Sequence, residues 1–210
     1  MGKTVFVRSL LRGRDRVIVL DPCLEYEADH YDDLGELVES LERRPETFRV
    51  RTQWPKDLPV LCAVANSMGS TTLVIEEAQA SIPPSNEPLP AALENVIYRG
   101  RHFVTEGRDL GTSLILVAQR AATIHIAARS QWTRLVTFNQ SEKADVQWLE
   151  GQLGIDRDVF ARLPELHGLM ATRDRVVTFK LDIGREGYAR IEPIRERRLI
   201  PASDDDNEDE

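Results

Sequence analysis

Residues 71–79 read TTLVIEEAQ: two threonines, three consecutive apolar residues and then, with no turn residue between, two adjacent glutamates. The run is too short for a helix, is rich in β-branched residues, and lacks the alternation of a strand with one wet face. It therefore predicts a strand buried on both sides. Strands of that kind belong to parallel sheets flanked by helices, and such sheets place their ligands beyond the carboxyl ends of the strands. Glu76 and Glu77 fall at that edge, so one stretch constrains both the class of fold and the position of its chemistry.

The rest of the chain supports an alternating α/β order. Helical spacing of apolar residues predicts helices over 4–12, 34–44, 91–104 and 141–153, with Pro45 and Gly154 as stops. Another, over 57–66, has Asp57 as its cap and Pro59 in its first turn. Short apolar runs predict strands at 17–20, 48–51, 113–118, 135–138 and 176–181, the first ending in Asp21-Pro22 and the third in Gln119-Arg120. The segment SIPPSNEPLP, 81–90, has too many prolines for a regular element and reads as a loop over the strand ends. Short helices are expected over 124–131 and around Val159, then a loop, with a polar tail after the last strand. The expected architecture is one α/β domain over 1–200 with a mostly parallel sheet, followed by a disordered acidic tail over 201–210.

Composition narrows the partners. Cys23 and Cys62 are far apart in the sequence and the four histidines lack ligand spacing, which argues against a disulfide framework or a zinc site. The most apolar region, 58–75, is interrupted by Pro59, Asn66, Ser67 and Gly69, so it is no membrane span; a cytoplasmic protein is expected. The net charge is −8, but six acids lie between Asp204 and Glu210, and the remainder carries 29 acidic against 27 basic residues. A nearly neutral body leaves room for a nucleic-acid partner wherever bases cluster on one face. Only four of the 27 bases are lysines, and one is Lys3.

That lysine sits in Met1-Gly2-Lys3-Thr4, ahead of the helical run VFVRSLL. The sequence is the back half of the phosphate-loop pattern G-x-x-x-x-G-K-[ST] opening a helix. In such a loop the backbone N–H groups and helix N-terminus hold phosphates, the lysine adds a compact cation, and the hydroxyl ligates magnesium. Gly2, Lys3 and Thr4 suit those jobs. About seventy residues later, Glu76 stands where an acid would hold the magnesium shell, and Glu77 where one would deprotonate an attacking water. A solvated strand end is the plainer alternative for the pair. Gln119 ends the neighbouring strand, within range of a γ-phosphate or its water, or simply as a polar terminus.

Taken in order, VIVLDPCLEY, LVIEEAQ, RGRHF and LILVAQRA resemble the HerA/FtsK branch of P-loop ATPases, including the genome-packaging ATPases of membrane-containing icosahedral viruses. The likeness spans roughly residues 2–149. It implies a RecA-like three-layer sandwich, Walker A and Walker B motifs at Lys3–Thr4 and Glu76–Glu77, a sensor glutamine at Gln119, and ATP with Mg²⁺ as ligands. Asp21, Pro22, Glu25 and Tyr26 match an Asp-Pro and following Glu-Tyr common in that branch. The resemblance further implies a homo-oligomeric ring, a hexamer, that hydrolyses ATP between subunits and translocates double-stranded DNA. In a virus, a portal or capsid component would be a further partner and the virion a further location.

Arg101, Arg120 and Arg129 follow element ends on the catalytic side and are the candidates for an arginine supplied across the subunit interface. Arg99, Arg101, His102 and Arg108 form the densest basic stretch and are the candidates for DNA phosphate contacts. Two departures stand out: the Walker B acid is glutamate, one methylene longer than the usual aspartate, and the first loop glycine with its preceding strand is missing. The second favours a natural start upstream of Met1. The rival reading is a degenerate relative that binds nucleotide or serves assembly without turnover.

Overall fold

The computed structural model describes residues 2–100, 104–105, 108–184 and 186–198, with no account of side chains at 104, 105, 108 and 109. The chain forms two compact units, Leu10–Gln131 and a second made of Met1–Ser9 with Trp132–Glu210; the boundary falls within the first helix, α1 (Lys3–Leu11).

The Leu10–Gln131 unit is built on a five-stranded parallel sheet. Its strands are β1 (Arg16–Leu20), β2 (Asp29–His30), β3 (Phe48–Thr52), β4 (Thr72–Ile75) and β7 (Ser113–Leu116), in the spatial order β2-β3-β1-β4-β7. β1 and β4 are buried on both faces, as uninterrupted apolar runs require. On one face Ile18, Leu20, Val50, Leu73 and Ile75 pack with Leu37 and Leu41 of α2 (Leu34–Arg43), Leu61 and Ala65 of α3 (Leu58–Met68), and Leu93 and Val96 of α5 (Ala91–Arg99). β1 lies between β3 and β4 in register, Leu20 pairing with Thr52 on one side and Ile75 on the other, so three strands end level. Edge strand β7 is only partly buried.

Several local expectations need correcting. Asp57 occupies the N-cap position of α3, but its carboxylate makes no capping hydrogen bond and instead accepts the Thr52 hydroxyl at 2.7 Å. After β4 the chain forms one short helix, α4 (Ala78–Ser81), before the proline-rich segment. α5 stops at Arg99, not 104. Just after it, Gly100 accepts the Thr112 N–H at 2.7 Å, and a Cβ at Gly100 would lie 3.4 Å from the Thr112 carbonyl oxygen. Beyond it β5 (Val104–Thr105) and β6 (Arg108–Asp109) form a small antiparallel pair. Of the basic residues in this stretch, Arg99 ends α5 and Arg108 lies in β6. α6 (Ile126–Ser130) closes this unit.

The other unit carries β8 (Leu135–Thr137), α7 (Lys143–Leu153), α8 (Arg157–Ala161), β9 (His167–Ala171), β10 (Arg175–Ile183) and β11 (Ala189–Arg198). Its four strands are antiparallel, in the order β11-β10-β9-β8. β9 and β11 replace an expected loop and an expected polar tail. Leu149 and Leu153 of α7 and Phe160 of α8 pack with Leu169, Ala171 and Val176. Phe6, Phe138 and Phe179 form an aromatic cluster with centroids 5.3–6.3 Å apart. The start of α1 is fixed to the β10–β11 hairpin by Ser9 Oγ, which accepts the Ala189 N–H at 2.8 Å, and by Arg8 stacked over Tyr188. Among the described residues, no helix is long and apolar enough to cross a membrane.

Candidate functional site

Three adjacent strands of the parallel sheet deliver the site: β3 through Arg51, β1 through the residues after Leu20, and β4 through Glu76 and Glu77. Asp21 follows β1 and is fully buried. Its carboxylate accepts the backbone N–H groups of Glu25 (3.0 Å) and Tyr26 (2.9 Å) and faces Arg51 at 3.4 Å. Arg51 also donates to the Tyr26 carbonyl at 2.6 Å. Buried charge is tolerated only when so paired. The result is a loop, 21–26, tied at both ends to one carboxylate and one guanidinium.

The tied loop delivers Tyr26 to the end of β4. Its phenol donates to Glu76 Oε1 at 2.5 Å, and both side chains are buried, at 3% and 4% exposure. Burial, reinforced by the Glu76 carboxylate, pushes the phenol well above its ordinary ionisation range, so Tyr26 remains a donor at neutral pH. The exposed Cys23 on the same loop has its thiol raised first by local desolvation and then by Glu25, Glu77, Asp21 and Glu76. Negative charge is concentrated along these strand ends.

Glu77 adopts the left-handed conformation, φ +46° and ψ +47°, which a residue with a side chain occupies at a cost. It is half-buried, and its carboxylate accepts the side-chain amides of Gln119 (2.9 Å) and Gln79. Gln119 is carried there by the extension of β7, where Val117 donates to Ile75 and accepts from Ala78. The structure thus brings together Glu77 and Gln119, and it sets Glu76 beside Tyr26.

Gly2, Lys3 and Thr4 lie in the other unit, at the start of α1. Gly2 has φ +116°, and a Cβ there would come within 3.0 Å of the Phe138 ring, so glycine is required both by conformation and by space. Its carbonyl accepts the Phe6 N–H at 2.9 Å, which opens the helix. Lys3 and Thr4 are half-buried in the first turn, where helix N–H groups lack intrahelical partners.

Among the arginines, Arg99 is exposed at the end of α5, Arg120 follows β7 with its carbonyl accepting from Thr123, and Arg129 is half-buried on α6. Arg101 and His102 lie outside the described residues, as does the Arg108 side chain. The proline-rich loop is pinned in a way the sequence did not suggest. His125 accepts the Ala127 N–H at Nδ1, which leaves Nε2 to donate to the Glu87 carbonyl (3.1 Å), and Ser85 Oγ accepts the Ile126 N–H. Arg51 was likewise missed; its sole local signal is a basic residue at the end of an alternating strand.

The residues suit magnesium by donor chemistry. Acidic strand ends would repel a phosphate unless a cation came with it, and carboxylates are hard-oxygen donors. Among the described residues no group of three or more His, Cys, Asp or Glu is arranged to hold a metal. Magnesium commonly takes only one or two carboxylates, with phosphate oxygens and waters completing its shell.

The sequence matches no protein-family model and no curated protein. The fold, however, is similar to the genome packaging NTPase B204 from Sulfolobus turreted icosahedral virus 2. The complex of that protein with ATP-gammaS aligns at TM-score 0.61 and 15% identity, over 89% of this chain and 86% of that one. Its AMPPCP complex aligns at 0.62 and 16%, over 90% and 88%. B204, the DNA-packaging ATPase from Sulfolobus Turreted Icosahedral Virus, aligns at 0.56 and 14%, over 92% and 93%. The chain therefore has a P-loop NTPase fold like that of these viral packaging ATPases, around the five-stranded parallel sheet.

Proposed function

We propose, with that fold as premise, that this chain binds and hydrolyses ATP as the subunit of a DNA-translocating motor that packages a viral genome. The observation that carries the reading is the pair at the end of β4: a buried Glu76 held by Tyr26, and beside it Glu77 facing Gln119. Two neighbouring carboxylates in such different surroundings suit two different tasks.

In this reading Gly2 and the first turn of α1 receive the phosphates, and Lys3 supplies the cation. Thr4 and Glu76 hold magnesium, which when bound with the nucleotide neutralises phosphate charge. Glu77 takes a proton from water as the water oxygen bonds to the γ-phosphorus and the bond to ADP breaks, while Gln119 orients Glu77 or that water. Arg101, Arg120 or Arg129 of a neighbouring copy completes the site in a ring of identical subunits, a hexamer. Arg99, Arg101, His102 and Arg108 contact DNA phosphates. A portal or capsid component would anchor the ring.

The test is Glu77→Gln, which keeps shape and removes the base. Nucleotide binding should persist while turnover falls roughly 10²- to 10⁴-fold. Hydrolysis at the parental rate would overturn the assignment.

A further inference from the structure

We infer that Tyr26 is a positioning residue for Glu76: its phenol, set by the buried Asp21–Arg51 pair, holds the carboxylate at the end of β4 in its metal-bearing orientation. The inference rests on the proposed nucleotide site and adds to it a residue that touches neither nucleotide nor metal. A glutamate has one more rotatable bond than the aspartate usual at this position, so its carboxylate reaches further and has more orientations to lose. Magnesium demands near-ideal geometry. Something must therefore fix the longer side chain, and groups that fix metal-bearing carboxylates by hydrogen bonds act strongly on affinity.

Tyr26 is held against that carboxylate from a fixed position. Tyr26 donates to Oε1 at 2.5 Å from a position that is itself 3% exposed. Its backbone is held at both ends, the N–H by Asp21 Oδ2 and the carbonyl by Arg51. Asp21 is fully buried and Arg51 comes from the next strand, so the phenol's place is set by three level strand ends rather than by a surface loop. Within that loop Leu24 takes φ +57°, a left-handed turn that a leucine adopts only where the surroundings impose it.

The experiment uses the full chain with Tyr26→Phe, which keeps the ring and removes one hydroxyl, in the parent and in the Glu76→Asp background. The first readout is the Mg²⁺ concentration needed for half-maximal binding of a non-hydrolysable ATP analogue. Tyr26→Phe should raise it roughly tenfold or more in the parent. It should add almost nothing in the Glu76→Asp background, where the shorter carboxylate no longer reaches the phenol, because two members of one contact do not add. An equal factor in both backgrounds, or none in either, overturns the inference. The second readout needs no ligand: with ¹³Cζ-labelled tyrosine, the resonance lost in Tyr26→Phe should shift in Glu76→Gln at neutral pH. If it does not move, the contact is absent and the inference falls. Failure of the functional reading looks different, as a parent chain whose analogue binding ignores Mg²⁺ altogether while the tyrosine resonance still responds to Glu76→Gln; that result also rules out a metal-positioning role for Tyr26.

Discussion

The two units of this chain solve the burial of a sheet in opposite ways. In the parallel sheet β1 and β4 are closed on both faces, and the acids Asp21, Glu76 and Glu77 stand just past their ends. In the antiparallel sheet β10 mixes buried and exposed positions along its length, and β11 is almost wholly exposed. A strand buried on both sides offers no room for a functional side chain within it, so chemistry is displaced to its ends; a strand with a wet side can carry polar residues anywhere, and their positions say little.

Three measurements would break or sharpen that contrast, beginning with the largest effect. Truncating the fully buried Phe179 of β10 to alanine should cost about 3–5 kcal/mol, and Leu73→Ala in β4 about 2–5 kcal/mol, by urea unfolding. A cost below about 1 kcal/mol for Phe179 would mean that β10 lines no true core, since deletions there normally exceed it. Next come two glycines. At Gly168 a Cβ would meet the Phe179 ring at 2.5 Å and the Thr137 carbonyl at 2.9 Å; at Gly69, φ +59°, it would meet Leu110 at 2.8 Å. Alanine at either should cost about 1–3 kcal/mol by overpacking, to which strain adds at Gly69. Thermal melting that left either variant at parental stability would show that the neighbouring chain yields freely. Last, Ile194 of β11 is 57% exposed at the irregularity opposite Thr178 and Phe179. Ile194→Thr should stay within about 0.5 kcal/mol; a larger loss would reveal that β11 is covered.

The same contrast governs what the sequence discloses. The runs 17–20 and 73–75 were legible as interior strands because burial on both sides leaves them purely apolar, and the acids after them are conspicuous for that reason. β11 reads as a polar tail because an exposed edge strand keeps almost no alternation, with Pro193 standing where the ladder is irregular and an N–H is dispensable. β9 was hidden by Gly168, which weakens any strand reading; the demand for it comes from Phe179 in the neighbouring strand. Gly100, just after α5, accepts the Thr112 N–H, a contact that no helical spacing encodes. At the site, Glu76, Glu77 and Gln119 were visible as strand-end residues. The hydrogen bond from Tyr26 to Glu76 joins side chains 50 positions apart, and the Arg51 contacts are likewise tertiary, so neither follows from local pattern.

The left-handed backbone at Glu77 bears on how the protein would respond to laboratory evolution. A residue with a side chain gives up about 1–2 kcal/mol in that conformation, which glycine would recover. Selection of variants for thermal resistance alone would therefore favour glycine at position 77 and discard the carboxylate. On the role proposed for Glu77, a screen that also scores turnover would keep the glutamate, so the two criteria diverge at this codon.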